Sequence, residues 1–406
     1  MERVKIVLCG CGYRGRDLTE MLAQMDQYEV KAVCDTYEDK ATDFALKLKE
    51  KYGVETKAYI DYEEMLEKEK PQAVVIAASW EMHVPIAIKA MEKGIAVALE
   101  VGGAYSEQEC WDLVNAYERT KTPLMFMENC CYFKDELFAT NMARKGVFGK
   151  IVYCHGAYGH DLRGEVANGN KNRHYRLRNY INRNCDNYPT HELGPIAKLL
   201  NINRGNRMVS LVSMGSPACG LHDYVQGKEE YADLQDVTFQ QSDIVETLIK
   251  CENGELISLR LDTTLPRFYA REFTVRGTKG LYMQEGNMVM EDGAFAHTLY
   301  THKTYEKYVN NAEEYYEKYL PEMWKTITPE KIKMGHGGMD YLEFVEFADC
   351  LQNGKEMPID VYDAAAWMSI AYLTEQSIKN GGAPVQIPDF TRGKYKTREP
   401  KDVIEF

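Results

Sequence analysis

Apolar residues in the first third of the chain gather in short runs rich in β-branched side chains, and between the runs they recur at helical spacing. The runs are VKIVLCG from Val4, then Val30 to Cys34, Ala73 to Ala77, Ile95 to Leu99 and Leu124 to Met127. Runs without strict alternation, each followed by a helical stretch such as Leu18, Met21, Leu22 and Met25, predict a parallel sheet covered on both faces. Beyond a helix at about Asp135 to Lys145 the pattern changes to alternating strands with turn signals. Asp243 to Cys251 and Glu255 to Thr263 flank Asn253-Gly254 and read as a hairpin. Arg271 to Arg276 and Leu281 to Glu285 flank Gly277-Thr278-Lys279-Gly280 and read as a second. Helices return at Met339 to Gln352 and, behind a capping Asp360, at Tyr362 to Lys379. The expected class is α/β: a nucleotide-binding domain over residues 1–130, then an α+β domain with an open, mainly antiparallel sheet over 131–406.

A length of 406 residues suits two domains. The formal charge of −13 argues against a nucleic-acid partner, which calls for a basic face. Apolar runs such as AVVIAA are far short of a membrane span. Met1 to Lys5 lead straight into the first strand without a secretory apolar region, so the expected setting is cytoplasmic, with no membrane partner. The eleven cysteines form no C-x-x-C pair, and His155, His160, His174 and His191 show no ligand spacing, so no metal is expected and the thiols read as reduced. Tyr, Glu and Lys crowd Lys303 to Lys333, which reads as a surface helix or subunit contact. The open sheet face suggests a homo-oligomer, a dimer or tetramer.

The first strand runs directly into Gly10-Cys11-Gly12-Tyr13-Arg14-Gly15 and then a helix, the context a dinucleotide fingerprint requires. Gly10 allows the tight turn, Gly12 lets backbone approach a pyrophosphate, and Gly15 lets helix pack on strand. The next strand ends in Asp35, twenty residues past Gly15. A carboxylate there accepts from ribose hydroxyls and repels a 2′-phosphate, so the expected cofactor is NAD on a Rossmann domain. Ligands of such sheets sit at the carboxyl ends of the strands, where Trp80, His83, Glu100 and Asn129 lie; they are the candidate nicotinamide-side wall.

Far downstream, Asn187 to Pro195 reads NYPTHELGP. Tyr188, Thr190 and His191 offer a phenol, a hydroxyl and an imidazole ahead of an apolar helical run, Ile196 to Leu200. That set suits proton transfer on a polyhydroxylated substrate. Pro189 biases Tyr188 out of the helix and puts His191 in its first turn. An imidazole's ordinary pKa of about 6.5 suits a group that takes and gives protons near neutrality. A tyrosine would need a neighbouring cation to serve as a base, and Arg176 or Arg271 could supply one. His336, set among glycines that permit close backbone approach, is a further candidate; a lead-in to the helix at Met339 is the structural alternative.

The chain resembles, over essentially its whole length, the glucose–fructose oxidoreductase/inositol dehydrogenase/MocA superfamily, and more narrowly glycoside hydrolase family 109. The resemblance rests on WEMH at Trp80 to His83, Glu100-Val101, Asn129, AYGHDLR at Ala157 to Arg163, YRL at Tyr175 to Leu177 and YPTHELGP at Tyr188 to Pro195. NINRG at Asn201 to Gly205, PRFYAR at Pro266 to Arg271 and GHGGMD at Gly335 to Asp340 complete it. It implies NAD contacts from Tyr13, Arg14, Asp35, Trp80, His83, Glu100, Val101 and Asn129. It implies sugar contacts from Tyr158, Arg176, Tyr188, Pro189, Thr190, His191 and Tyr269. Glu192, Lys198 and the Glu100-Val101-Gly102-Gly103 turn depart from the family pattern.

Ordinary sugar dehydrogenases of the superfamily carry Glu-Lys-Pro at that turn, the lysine moving the proton; here Val101 and Gly102 stand in those places. The resemblance therefore implies an NAD-dependent α-N-acetylgalactosaminidase-like glycosidase. Its reaction is transient oxidation at the sugar C3, loss of the C2 proton, elimination of the glycosidic oxygen, water addition and return of the hydride. His191 is the candidate for the C3 hydroxyl proton, with Tyr188 or Tyr269 at C2 or the leaving group. Three alternatives stand beside it. One is a plain NAD-dependent sugar or polyol oxidoreductase, another a non-catalytic NAD-binding sensor. The third is a two-carboxylate glycosidase drawing on Asp161, Glu165, Glu192 and Asp262.

Overall fold

The computed structural model describes residues 2–293 and 306–406. By compactness the chain divides into two units: Met1–Asn129 with Thr328–Ser369, and Cys130–Ile327 with Ile370–Phe406. Thr328–Ser369, expected in the second domain, thus packs with the first. Helix Val361–Lys379 carries the chain from one unit to the other.

In the first unit, β1 (Val4–Cys9), β2 (Tyr28–Cys34), β3 (Lys57–Tyr59), β4 (Ala73–Ile76), β5 (Ala96–Glu100) and β6 (Leu124–Met127) form a parallel sheet in the order β3-β2-β1-β4-β5-β6. The five expected apolar runs are five of its six strands, and β3, too short and too polar for such a run, was not expected. Helices α1 (Tyr13–Leu22), α2 (Glu38–Tyr52), α3 (Tyr62–Glu69), α4 (Trp80–Glu92) and α5 (Glu107–Thr120) connect the strands. β4 and β5 are buried at every position, as helices on both faces require. The returning segment docks here through the Tyr28 hydroxyl, which donates to the Phe344 carbonyl at 2.5 Å, and through edge-to-face packing of the two rings. Phe126 packs on Trp367 with the rings tilted at 60°, and its N–H donates to the Ile359 carbonyl.

The second unit opens with α6 (Lys134–Arg144) and is built on β7 (Ile151–Gly159), β8 (Met208–Gly215), β9 (Ile244–Cys251), β10 (Leu256–Asp262), β11 (Thr274–Gly277), β12 (Gly280–Met283), β13 (Met288–Glu291) and β14 (Val385–Gln386). The strand order is β13-β12-β11-β7-β10-β9-β8-β14; β7 and β10 run parallel and the other neighbours antiparallel. Both expected hairpins form, β9–β10 and β11–β12. β9 alternates buried and exposed positions from end to end, so one face of the sheet is packed and the other polar. Across the packed face lies α10 (Thr190–Leu199), with α7 (Arg163–Ala167), α8 (Gly169–Asn172), α9 (Arg176–Asn182) and α11 (Gly220–Val225) beside it in the same unit. The tyrosine-rich stretch, whose residues 303–305 lie outside the described ones, is a chain of short turns rather than one helix: Asn311–Tyr315, Tyr316–Tyr319, Glu322–Thr326 and Pro329–Ile332. α12 (Met339–Asn353) and α13 (Val361–Lys379) close the count of long helices.

Candidate functional site

The nucleotide loop leaves β1 and enters α1 at the point where the sheet order reverses, between β1 and β4. Gly10 has φ +101°, and a Cβ there would lie 2.4 Å from the Ala77 carbonyl oxygen. A Cβ on Gly15 would lie 2.0 Å from the Gly10 carbonyl oxygen. A Cβ on Gly12 would meet nothing within 4 Å. Two of the three glycines are therefore demanded by the loop's own packing, and the third faces open space where a pyrophosphate would lie. α1 begins with no side-chain cap and no acid in its first turn, whereas α2, α3 and α5 each begin with two acids. Its free N–H groups and dipole suit an anion. Asp35 braces the loop: Oδ2 accepts from the Cys11 N–H at 2.8 Å and Oδ1 from the Tyr37 N–H at 2.9 Å. These features fit a dinucleotide.

Arg14, Glu100 and Asn129 meet around a residue from the returning segment. Arg14 donates to both oxygens of Asp340, at 2.6 and 2.9 Å, and to Glu100 at 2.9 Å. Asn129 Nδ2 donates to Asp340 Oδ1 at 2.6 Å, and the His336 Nδ1 lies 2.8 Å from Asp340 Oδ2. Burial would raise the Asp340 carboxyl, but Arg14 and His336 hold it well below the usual carboxylate range. Arg14 thus stands as the counter-ion of a buried network as well as a neighbour of the loop. Asp340 was visible only as part of GHGGMD, since no local spacing ties it to residue 14. Trp80 and His83 are buried at the start of α4. His83 Nε2 lies 3.1 Å from the Ala78 carbonyl, and burial pushes its pKa down to about 4, so the ring is neutral. Tyr13 is almost fully exposed, whereas Val101 is buried behind Glu100. A Cβ at Gly102 would lie 2.5 Å from the Trp80 ring, so this turn has no room for a proline.

The second unit gathers a ring of aromatic groups. Tyr158 near the end of β7 lies 4.8 Å from Tyr188, 5.5 Å from His191 and 6.3 Å from Tyr269, ring centre to ring centre. Tyr188 and His191 meet edge to face at 4.8 Å. The fifth member is His160: its Nδ1 is 3.1 Å from the Tyr158 hydroxyl and its ring 5.2 Å from Tyr269. Sequence reasoning passed His160 over, although its place two residues beyond Tyr158 on an extended strand is a signal for a shared face. The local causes are legible. Pro189 adopts φ −72°, ψ −13° and starts α10 at Thr190, leaving Tyr188 outside and His191 in the first turn. A Cβ on Gly156 would lie 2.4 Å from the Glu192 carbonyl oxygen, so glycine lets α10 lie directly on β7. Reciprocal Gly159–Ala270 backbone hydrogen bonds at 2.9 and 3.0 Å swing Tyr269 into the cluster.

Cations flank the ring. The Arg176 guanidinium sits 5.2 Å over Tyr188 and pairs with Glu165 at 3.0 Å; Arg271 donates to the Tyr269 hydroxyl at 3.3 Å and to Glu136 at 2.8 Å. Both arginines lie beside tyrosines, as expected, but at Tyr158 and Tyr269 they do not make the phenol basic. Burial pushes the Tyr158 hydroxyl up, outweighing Arg176. Tyr269 is also pushed up, by burial first and Cys130 next, against the lowering by Arg271, although 47 % of the residue is exposed. Tyr158 and Tyr269 are therefore neutral donors. His160 is shifted the other way, lowered by burial and by Arg176. The carboxylates of the two-acid alternative are committed elsewhere: Asp161 to Arg163 at 2.6 Å, Asp262 to Arg267 at 2.5 Å, Glu165 to Arg176, and Glu192 buried beside Asp186.

A dinucleotide-binding Rossmann unit joined to a mixed-sheet unit that presents histidines and phenols is the architecture of NAD-dependent enzymes of the oxidoreductase fold. Residues 4–127 match the oxidoreductase family, NAD-binding Rossmann fold, and residues 132–397 match the glycosyl hydrolase 109 C-terminal domain. The chain belongs to glycosyl hydrolase family 109 and is an NAD-dependent glycosidase. It is 38% identical to an α-N-acetylgalactosaminidase of Tannerella forsythia, over 96% of this chain and 87% of that one. With an α-N-acetylgalactosaminidase of Shewanella oneidensis it is 36% identical, over 100% and 88%. In fold it is similar to levoglucosan dehydrogenase in complex with NADH and L-sorbose, at TM-score 0.71, 18% identity and coverage of 96% and 100%. Among the described residues no helix is long and apolar enough to cross a membrane.

Proposed function

We propose that the chain cleaves α-N-acetylgalactosaminides or closely related glycosides, with the sugar held by Tyr158, Arg176, Tyr188, Pro189, Thr190, His191 and Tyr269. The observation that carries this reading is the ring of Tyr158, His160, Tyr188, His191 and Tyr269, which sets two imidazoles among three phenols. The Thr190 hydroxyl supports it: fully buried, with no hydrogen-bond partner among the described residues, it is a group that a sugar hydroxyl would satisfy. Gly10, Gly12, Tyr13, Arg14, Gly15, Asp35, Trp80, His83, Glu100, Val101 and Asn129 are the residues proposed to hold the cofactor. Bound NAD would supply reversible hydride removal at the sugar C3.

The chain's own part is proton transfer. His191 takes the C3 hydroxyl proton and later returns it. His160, neutral because its pKa is lowered, can accept a hydrogen bond from the Tyr158 hydroxyl beside it and so orient that phenol. Tyr269, held as a neutral phenol, donates to the departing oxygen, and Tyr188, with the Arg176 guanidinium over its ring, takes the C2 proton. Cys9, Cys11 and Cys34, buried close together without a disulfide, support a reducing, cytoplasmic setting, and Met214, Val152 and Leu248, exposed on strands of the second unit, support a dimer or tetramer through that sheet face. The test is incubation with para-nitrophenyl N-acetyl-α-galactosaminide in D₂O, following phenol and NADH together. Phenol release with deuterium at C2 and no net NADH is the expected result. Steady NADH from free sugars without phenol release would sink the reading.

A further inference from the structure

The two residues that bracket the Asn187–His191 segment are both buried acids. Asp186 precedes it and Glu192 follows it, each 1 % exposed. Their carboxyls face one another. Neither oxygen of Glu192 and not Oδ1 of Asp186 has a hydrogen-bond partner among the described residues. An ionised carboxylate stripped of water and left without a donor is costly, and two facing one another are costlier. The arrangement is satisfied once a single proton sits between them, with the Glu192 carboxylic acid donating to the Asp186 carboxylate.

The surroundings agree. The Asp186 N–H donates to the Thr374 hydroxyl at 2.9 Å, which fixes one side of the pair to α13, while Glu192 is fixed in the first turn of α10. The Asp186 carboxylate accepts from the backbone N–H of Tyr188, and the backbone N–H of Tyr158 approaches Glu192 without completing a hydrogen bond. Around the pair, α10 also carries His191 and Lys198, β7 carries His155 and Tyr158, and β9 carries Glu246. β10 carries Arg260 and Asp262, α6 carries Asp135 and Glu136, and α13 carries Glu375, paired with Arg183 at 2.7 Å. The strongest charges bearing on Glu192, Asp186 and Glu246, are both negative. Burial first, and then Asp186, raise the Glu192 carboxyl well above the ordinary range; burial raises Asp186 also.

We propose that Asp186 and Glu192 share one proton as a clasp across the Asn187–His191 segment, positioning Tyr188, Thr190 and His191 to receive the sugar. They are positioning residues, and the inference rests on the sugar site proposed above. Losing the proton sets two buried negative charges against each other and releases the segment. The folded pair holds a proton that the unfolded chain gives up above about pH 4 to 5, so its contribution is complete in acid and is lost as pH rises through the folded value.

The experiment compares wild type, E192Q and E192A as NAD-loaded proteins from pH 5 to 9, recording thermal midpoints and kcat and KM on para-nitrophenyl N-acetyl-α-galactosaminide. The glutamine amide donates to Asp186 at every pH. Wild-type KM is expected to rise about tenfold toward alkaline pH, while E192Q stays flat and E192A is raised by about tenfold throughout. The midpoint of wild type relative to E192Q falls as pH rises. D186N, whose amide donates to Glu192, takes the place of E192Q should that variant not fold. An alkaline limb identical in wild type and the amide variant, with a pH-independent midpoint difference, overturns the clasp. Absence of glycoside cleavage in every protein overturns the functional reading instead, and the midpoints still decide the clasp.

Discussion

Gly10, Gly12 and Gly15 lie within one turn of chain, whereas the aromatic ring draws on residues from Tyr158 to Tyr269 and on three separate segments. The first arrangement binds through backbone: a glycine turn, free helix N–H groups and one acid that braces them. The second binds through side chains that only a folded sheet and helix bring together. A backbone site tolerates little change in shape but much in side-chain chemistry. A side-chain site is the reverse, sensitive to a single atom that holds or moves a proton.

The widest gap between the two should appear at His191. Replacement by Ala is expected to lower kcat about 10²- to 10⁴-fold with NAD retention unchanged, the range of a lost general acid–base group. Steady-state kinetics alongside NAD content checks it, and a loss of NAD would blur the distinction. Next come the glycines. Gly15→Ala forces a Cβ against the Gly10 carbonyl oxygen, and about 100-fold weaker NAD binding, near 3 kcal/mol, is expected with a lowered melting midpoint. Gly12→Ala meets no protein atom and should weaken NAD while leaving the apo midpoint in place; titration calorimetry and melting of the apo protein separate the two.

His83 supplies the third contrast. Its pKa of about 4 lies below the ordinary value, so the folded chain holds fewer protons than the unfolded one and loses stability as pH falls below 6.5. About 2 kcal/mol of destabilisation between pH 7 and 5 is expected from this group, and urea unfolding of His83→Gln should show that much less acid sensitivity. The smallest effect is at Asp35. Asp35→Ser removes the charge that would repel a 2′-phosphate and should narrow the preference for NAD over NADP by about tenfold, read by competition binding.

The strands of the first unit were legible because each is an apolar run that helices must cover, and both hairpins because Asn-Gly and Gly-Thr-Lys-Gly leave few turns to choose from. β3 escaped because an edge strand of three residues carries no pattern. His160 was in view as part of AYGHDLR but not as a member of the site, since its role depends on Tyr269 arriving through the Gly159–Ala270 bridge. Arg176 and Arg271 were legible as cations for the tyrosines, but the balance between their charge and burial exists only in the packed state.

By itself the sequence determined the nucleotide loop, the place of Asp35 at the end of the second strand and the Tyr188–His191 segment, because each is set by residues close together in the chain. The tertiary structure decided that Asp340 neutralises Arg14, that His160 completes the aromatic ring, and that Asp186 and Glu192 meet in a dry interior. Those are pairings of charge, proton and dielectric, and none is defined until distant segments have excluded water together.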